Sequence, residues 1–111
     1  MDCVFCRIVA RELPARILHE DDVTLAFRDL APQAPLHAVI VPKQHVASLA
    51  EADDPVLVGR VALAAATVAR AEGFAERGFR VVSNTGPDAG QSVPHLHFHL
   101  LAGRALGWPP G

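Results

Sequence analysis

Short runs in which apolar residues alternate with polar ones, or follow one another, predict five β-strands along the chain. The predicted strands cover residues 17–19, 23–28, 38–41, 78–83 and 95–101. The acidic triplet 20–22 is typical of a tight turn between the first two strands, and Pro32 and Pro35 indicate a loop before the third. The run at 38–41 is continuously apolar and is closed by Pro42, so we expect it to form a central strand.

Two helices are predicted from longer apolar patterns. A short helix covers residues 3–10, and a long one covers residues 55–72, with Asp54 as N-cap, Pro55 in its first position and Gly73 after its end. The long helix carries two apolar stripes, Leu57, Val61, Ala64 and Val68 on one and Val58, Ala62, Ala65 and Ala69 on the other. A helix that is apolar on most of its circumference is covered on two sides. We expect a second subunit to supply the second cover; burial within one chain is the alternative.

Length and charge exclude several classes of protein. A chain of 111 residues is the size of one domain. Ten basic and twelve acidic residues give a formal net charge of −2 without any basic run, which argues against nucleic-acid binding. The longest apolar run, 61–69, is much shorter than the roughly 18 residues that cross a bilayer. The first seven residues lack the order of a secretion signal, so we expect a cytoplasmic protein that does not bind membranes.

Three histidines near the C-terminus alternate with large apolar residues: His95, His97 and His99. Alternate side chains of a β-strand share one face, so the three imidazoles are predicted to lie together. Imidazole can act as a nucleophile, a proton donor or a metal ligand near neutral pH. The spacing therefore predicts a functional site around a small anionic group, with metal chelation by the histidines as the alternative.

A glycine-rich loop at residues 84–94 leads into the three histidines. Glycines allow backbone N–H groups to approach an anion. The spacing is not that of a P-loop, and Gln91 stands where the phosphate-binding lysine would be. The adjacent imidazoles must then supply positive charge. Alone, this loop would be an ordinary turn; its position favours a phosphate site.

The segment 90–101, GQSVPHLHFHLL, resembles the signature of the histidine-triad (HIT) family. Segments 27–35 and 41–45 and the tail, with Gly103, Arg104 and the terminal GWPPG, resemble the Hint branch, the histidine-triad nucleotide-binding proteins. The resemblance spans nearly the whole chain as one domain, 1–111. It implies an α+β fold with a five-stranded antiparallel sheet, one short helix and one long helix. It also implies a homodimer with a continuous ten-stranded sheet, in which the tail 102–111 reaches the partner.

The same resemblance implies hydrolysis of purine nucleoside 5'-phosphoramidates, which are derivatives of AMP and GMP. It makes His97 the nucleophile, which attacks the α-phosphorus and forms a nucleotidyl-histidine that water cleaves. His99 and Ser92 are expected to position the proton for the leaving amine and to hold the phosphate, with His37 in a supporting role. The chemistry requires no metal ion. Hydrolysis of dinucleoside polyphosphates, and a regulatory nucleotide-binding module with little turnover, are the alternatives.

A nucleotide pocket is also implied. Asp29 corresponds to the acid that binds the ribose hydroxyls, and its alternative role is a helix cap or a solvated loop residue. Asn84, Gly90 and Gln91 are expected to line the phosphate site, mainly through dipoles that point at the developing charge. Trp108 is expected to extend toward the partner's site. The implied base pocket, for which core packing is the rival interpretation, consists of Val4, Phe5, Ile8, Phe27 and Leu30.

The N-terminal Cys3 and Cys6 form a Cys-x-x-Cys motif. A tetrahedral zinc site needs four ligands, so two more are required. The resemblance implies His45 and His95, and thus a structural zinc ion held by a Cys2His2 set. A redox pair or buried thiols are the alternatives, whereas a structural disulfide is not expected in a cytosolic protein.

Overall fold

The computed structural model describes residues 3–111, which form one sheet with a helix on each face. The elements are α1 (Val4–Val9), β1 (Ile17–Glu20), β2 (Thr24–Arg28), β3 (Leu36–Pro42), α2 (Pro55–Ala71), β4 (Phe79–Val82) and β5 (Phe98–Ala102), with a short 3-10 helix at Leu49–Glu51. The strand order is β1-β2-β3-β5-β4, and every neighbouring pair is antiparallel. The predicted α+β fold with five strands and a short and a long helix is confirmed.

The two faces of the sheet build two apolar clusters, because side chains of β2 and β3 alternate between them. On one face α2 packs on a cluster that includes Ala26, Ile40 and Leu100. On the other face α1 places Ile8 on a cluster that includes Phe27. All of β3 is buried, as its apolar run predicted. The sheet therefore separates the long helix from the short one, and the histidines lie on the side of the short helix.

The ends of α2 follow from local chemistry. The Asp54 carboxylate accepts hydrogen bonds from the backbone N–H groups of Val56 and Leu57, and Pro55 occupies the first turn, where a missing N–H costs nothing. After the helix, Gly73 has a φ of 87°, a conformation that favours glycine. Both predicted ends are therefore confirmed to within one residue.

Part of the second apolar stripe of α2 is covered within the chain. Ala65 and Ala69 are buried against the sheet, whereas Val58 and Ala62 are half-buried. The prediction that a second subunit covers this whole stripe is thus wrong for the two inner alanines, which the chain's own strands reach. Leu63 remains 69% exposed on the outer face.

Strand β5 begins later than predicted. The expected strand covered residues 95–101, but β5 starts at Phe98, so His95 and His97 precede it. In the β3–β5 register Ile40 pairs with Phe98. An extension of β5 toward His95 would bring Pro42 into the β3–β5 ladder. Proline has no N–H to donate. The Pro42 carbonyl instead accepts from the His95 ring.

The tail after β5 turns at Gly103, which has a φ of 100°. A Cβ atom at this position would lie 2.8 Å from Cβ of Pro35, so only glycine fits. Trp108 is 82% exposed. Across residues 3–111 no helix is both long enough and apolar enough to cross a bilayer.

Candidate active site

His97 is held in one orientation by the segment that precedes β5. Its Nδ1 lies 2.7 Å from the carbonyl oxygen of His95, so Nδ1–H donates to this oxygen. The Phe5 ring packs edge-on against it, with 5.0 Å between ring centroids, and the side chain is buried. The lone pair of the neutral imidazole is therefore on Nε2, which is the form a nucleophilic histidine needs.

His37 and His99 form a second imidazole pair at the same site. His37 Nδ1 accepts a hydrogen bond from the backbone N–H of Gln33, at 2.9 Å, so its proton is on Nε2. His37 Nε2 lies 2.9 Å from Nδ1 of His99 and donates to it. The proton of neutral His99 is consequently on Nε2. The His99 ring contacts the His97 ring edge-on, at 5.1 Å between centroids.

The Asp29 carboxylate lies beside this pair. Its Oδ2 is 3.4 Å from His37 Nε2 and 3.8 Å from His99 Nδ1. Its Oδ1 accepts the backbone N–H of Ala31 at 2.8 Å, which makes a local turn. No helix follows Asp29, so the alternative role as a helix cap is excluded.

Burial lowers the pKa of both histidines in the pair. For His37 the loss of hydration is opposed by the negative charge of Asp29. For His99 the loss of hydration is reinforced by the neighbouring imidazoles of His97 and His37, and Asp29 again opposes it. The pair is therefore biased toward its neutral form, with Asp29 as the group that favours an additional proton.

A cavity of about 250 Å³ opens beside His97 and His99. Seven predicted site residues share its wall: Val4, Phe5, Ile8, Phe27, Asp29, Leu30 and Ser92. Phe5 and Phe27 line the cavity and also take part in core packing. Their rings pack edge-on, with 5.6 Å between ring centroids. Leu30, in contrast, is fully exposed at the cavity rim, so core packing is excluded for it.

Five further residues line the same cavity and were not predicted: Pro14, Ala15, Arg28, Val39 and Val93. The loop after α1 brings Pro14 and Ala15 to the cavity, and no local motif marks them. A larger groove of about 510 Å³ lies on the other side of this loop, but no histidine lines it. Of these two cavities, the smaller one is lined by His97 and His99.

Four predicted nucleotide-contacting residues do not line the cavity: Asn84, Gly90, Gln91 and Trp108. The Gln91 side chain is occupied in building the loop, since its Nε2 donates to the carbonyls of Ala47 and Val93. Its Oε1 accepts the N–H of Gly86. The Gln91 side chain therefore braces the loop that precedes the histidines. Gly90 supplies a turn with a φ of 78°.

The four predicted metal ligands converge at the N-terminus of α1. Ligand atoms of Cys3, Cys6, His45 and His95 all lie within 4.8 Å of one another. Nδ1 of His95 is 3.1 Å from Nδ1 of His45, 3.4 Å from Sγ of Cys3 and 3.5 Å from Sγ of Cys6. Ligands of a tetrahedral zinc ion are about 3.3–3.8 Å apart, given the usual bond lengths. The donor set and its spacing therefore fit a zinc ion.

One detail of this cage favours a cation. The His95 ring donates its Nε2–H to the Pro42 carbonyl at 2.9 Å, which leaves Nδ1 as the lone-pair nitrogen that faces the sulfurs. Burial, together with the adjacent Cys3 thiol, raises the pKa of the Cys6 thiol, so metal binding there would have to displace a proton.

Comparison with known proteins identifies the family. Residues 10–106 match the family model of the HIT domain. An uncharacterized HIT-like protein of Synechococcus elongatus is 53% identical, over 99% of this chain and 97% of that protein.

Two solved structures extend the similarity to the fold. The crystal structure of a HIT family hydrolase from Legionella pneumophila has a TM-score of 0.96 and 45% identity, over 99% of this chain and 100% of that one. A HIT family hydrolase from Clostridium thermocellum has a TM-score of 0.92 and 44% identity, over 96% and 94% of the two chains. With its histidine signature intact, this chain belongs to the HIT family.

Proposed function

We propose that the protein hydrolyses purine nucleoside 5'-phosphoramidates to the nucleoside monophosphate and an amine. The observation that carries the proposal is the hydrogen bond from His97 Nδ1 to the His95 carbonyl, which leaves Nε2 of a cavity-lining imidazole unprotonated. The HIT family hydrolases among the structural relatives support hydrolysis as the reaction class.

The reaction proceeds in two displacements at phosphorus. Nε2 of His97 attacks the α-phosphorus, and the P–N bond breaks with its electron pair on the leaving nitrogen. This nitrogen takes a proton from Nε2 of His99, because an unprotonated amide anion is a poor leaving group. Water then attacks the phosphorus and returns a proton to Nε2 of His99, the P–Nε2 bond breaks with its electron pair on Nε2, and neutral His97 is restored. The hydroxyl of Ser92, in the cavity wall, holds a phosphate oxygen.

The nucleoside occupies the apolar end of the cavity. The base packs among Phe5, Ile8 and Phe27 on one side and Leu30 at the rim. Asp29 lines the same cavity, and its carboxylate accepts the ribose hydroxyls; Oδ1 has a second lone pair besides the one that accepts the N–H of Ala31. Recognition that relies on packing and on ribose favours purine nucleotides such as AMP and GMP.

A structural zinc ion is proposed for the Cys3, Cys6, His45 and His95 cage, on the fit described above. Zinc bound by four protein ligands has no open position, so its contribution is to stabilise the fold rather than to activate a substrate. No step of the reaction requires it.

A homodimer is proposed as well, in line with the Hint-type tail. Within the described chain, β4 is an edge strand, and the outer face of α2 exposes Leu63. Pairing of two β4 edges would give ten continuous strands, and Trp108 in the exposed tail could then reach the partner. Sedimentation velocity is expected to give about twice the chain mass of 11.8 kDa; a monomer at all concentrations would contradict the dimer.

The activity is tested with purified protein and two substrates, adenosine 5'-phosphoramidate and diadenosine tetraphosphate. We expect release of AMP and ammonia from the first, with slower cleavage of the second. Faster cleavage of the polyphosphate would assign the other hydrolase activity. Tight AMP binding without turnover of either substrate would contradict the enzyme and indicate a binding module.

A further inference from the structure

One oxygen of Asp29 lies between the two imidazoles of the His37–His99 pair. Its distances are 3.4 Å to His37 Nε2 and 3.8 Å to His99 Nδ1. The other oxygen is held by the backbone N–H of Ala31, so the carboxylate is fixed with Oδ2 toward the rings. The His37 side chain is only 6% exposed, and Asp29 is 22% exposed. This contact is therefore largely shielded from water. An ionic interaction keeps more of its strength in such an environment than in solvent.

The hydrogen bonds of the pair restrict where an additional proton can reside. The N–H of Gln33 points at Nδ1 of His37, so this nitrogen cannot take a proton without losing its partner. Nδ1 of His99 can take one, but it then faces the Nε2–H of His37 at 2.9 Å. Two donors that face each other require an acceptor between them.

Asp29 supplies this acceptor. The pair itself lies on two strands, with His37 on β3 and His99 on β5. It is faced by Asp29, which follows β2, and by His97, which precedes β5. Asp29 is the negatively charged group in this set. Both ring nitrogens lie within 3.8 Å of its Oδ2, close enough for this oxygen to attract an additional proton.

We propose that Asp29 is a positioning residue for the proton donor of the reaction, in addition to binding ribose. Its carboxylate holds an extra proton on the His37–His99 pair, and cleavage of the P–N bond consumes this proton. This inference rests on the proposed function, because an amine is the leaving group that requires the proton. Asp29 acts through His99 and does not itself reach the scissile bond.

The expected pH dependence follows from the sign of the interaction. Burial lowers the pKa of the pair, and the Asp29 charge opposes this effect. The acidic form is fully present below the pKa of the pair and is lost as the pH rises through it. Removal of the carboxylate should therefore move the alkaline loss of activity to lower pH.

The kinetic test uses Asp29→Asn, which keeps the acceptor for Ala31, and 2',3'-dideoxy substrates, which remove ribose recognition. With the dideoxy phosphoramidate, kcat is expected to fall about tenfold at pH 8, part of the 10²–10⁴-fold that a general acid supplies. With the dideoxynucleotide p-nitrophenyl ester, whose leaving group needs no proton, the fall in kcat should be much smaller than with the phosphoramidate. Asp53→Asn, which removes an exposed acid before α2, is the matched control with no expected effect.

Two kinetic outcomes would overturn the proposal: an equal loss of kcat for both leaving groups, or a loss that vanishes when the ribose hydroxyls are absent. The first would indicate a general structural role for Asp29. The second would limit its role to ribose binding.

A second measurement does not depend on turnover. Nitrogen-15 NMR of the free protein is expected to show His37 protonated on Nε2 and the pair titrating at lower pH in Asp29→Asn than in the wild type. Equal titration would overturn the proposal. If the wild type released no AMP from phosphoramidates, the proposed function would fail, and this NMR comparison would still decide whether Asp29 holds the proton.

Discussion

Replacement of His97 by alanine is expected to reduce kcat for adenosine 5'-phosphoramidate by at least about 10⁴-fold. The substitution removes Nε2, the atom that forms the bond to phosphorus, and neither His99 nor His37 can take its place. Both are committed to each other through the 2.9 Å hydrogen bond. AMP should still bind, because Phe5, Phe27 and Asp29 remain in the cavity wall. Initial rates and AMP titration by calorimetry measure the two effects.

The matched control is His19→Ala. His19 lies on β1, where it contacts Asp21 and does not line the cavity. Its removal should leave kcat unchanged. Circular dichroism and thermal melting would show that the His97 variant is folded. A folded His97→Ala protein that retains more than a small fraction of the wild-type kcat would contradict the nucleophile assignment.

The second large effect concerns the cage at the start of α1. Zinc is expected to raise the free energy of unfolding of the wild type by about 4 kcal/mol when free zinc exceeds its Kd a thousandfold. In Cys6→Ala, which removes one thiolate and leaves the N-cap residue Cys3 in place, most of this increase should disappear. Thermal melts with zinc and with a chelator measure the difference.

The chelated wild type is the reference for this comparison. Without metal, the two proteins should melt within a few degrees of each other, so only the response to zinc differs. Metal removal should also weaken AMP binding, because Cys3 is the N-cap of α1, and this helix carries Phe5 and Ile8 to the cavity. A wild type that binds no zinc and gains no stability from it would contradict the proposed metal site.

Local chemistry made the secondary structure largely predictable. Asp54 and Pro55 mark the start of α2, and Gly73 marks its end, because capping and φ preferences act within a few residues. The continuous apolar run of β3 indicated a strand that is buried on both faces, and it is. The start of β5 was misplaced, since it depends on Pro42, which is far away in sequence but adjacent in the sheet.

The residue types of the candidate site were predictable, whereas the hydrogen bonds that orient them were less so. The spacing of His95, His97 and His99 indicated a site, and the resemblance grouped His95 with the cysteines; the hydrogen bond to the Pro42 carbonyl that orients the His95 ring was not predictable. Likewise, the resemblance assigned Gln91 to the phosphate site, but the hydrogen bonds of its side chain to Ala47 and Val93 were not predictable. Such contacts join residues far apart in sequence, and they follow only from the folded chain.

The stereochemistry of hydrolysis tests most directly whether His97 acts as a covalent nucleophile. The substrate is a phosphoramidate made chiral at phosphorus by one sulfur in place of an oxygen, cleaved in ¹⁸O-labelled water. Attack by His97 followed by attack by water inverts the phosphorus twice, so we predict net retention of configuration. Inversion would mean that water attacks directly, and it would contradict a nucleotidyl-His97 intermediate.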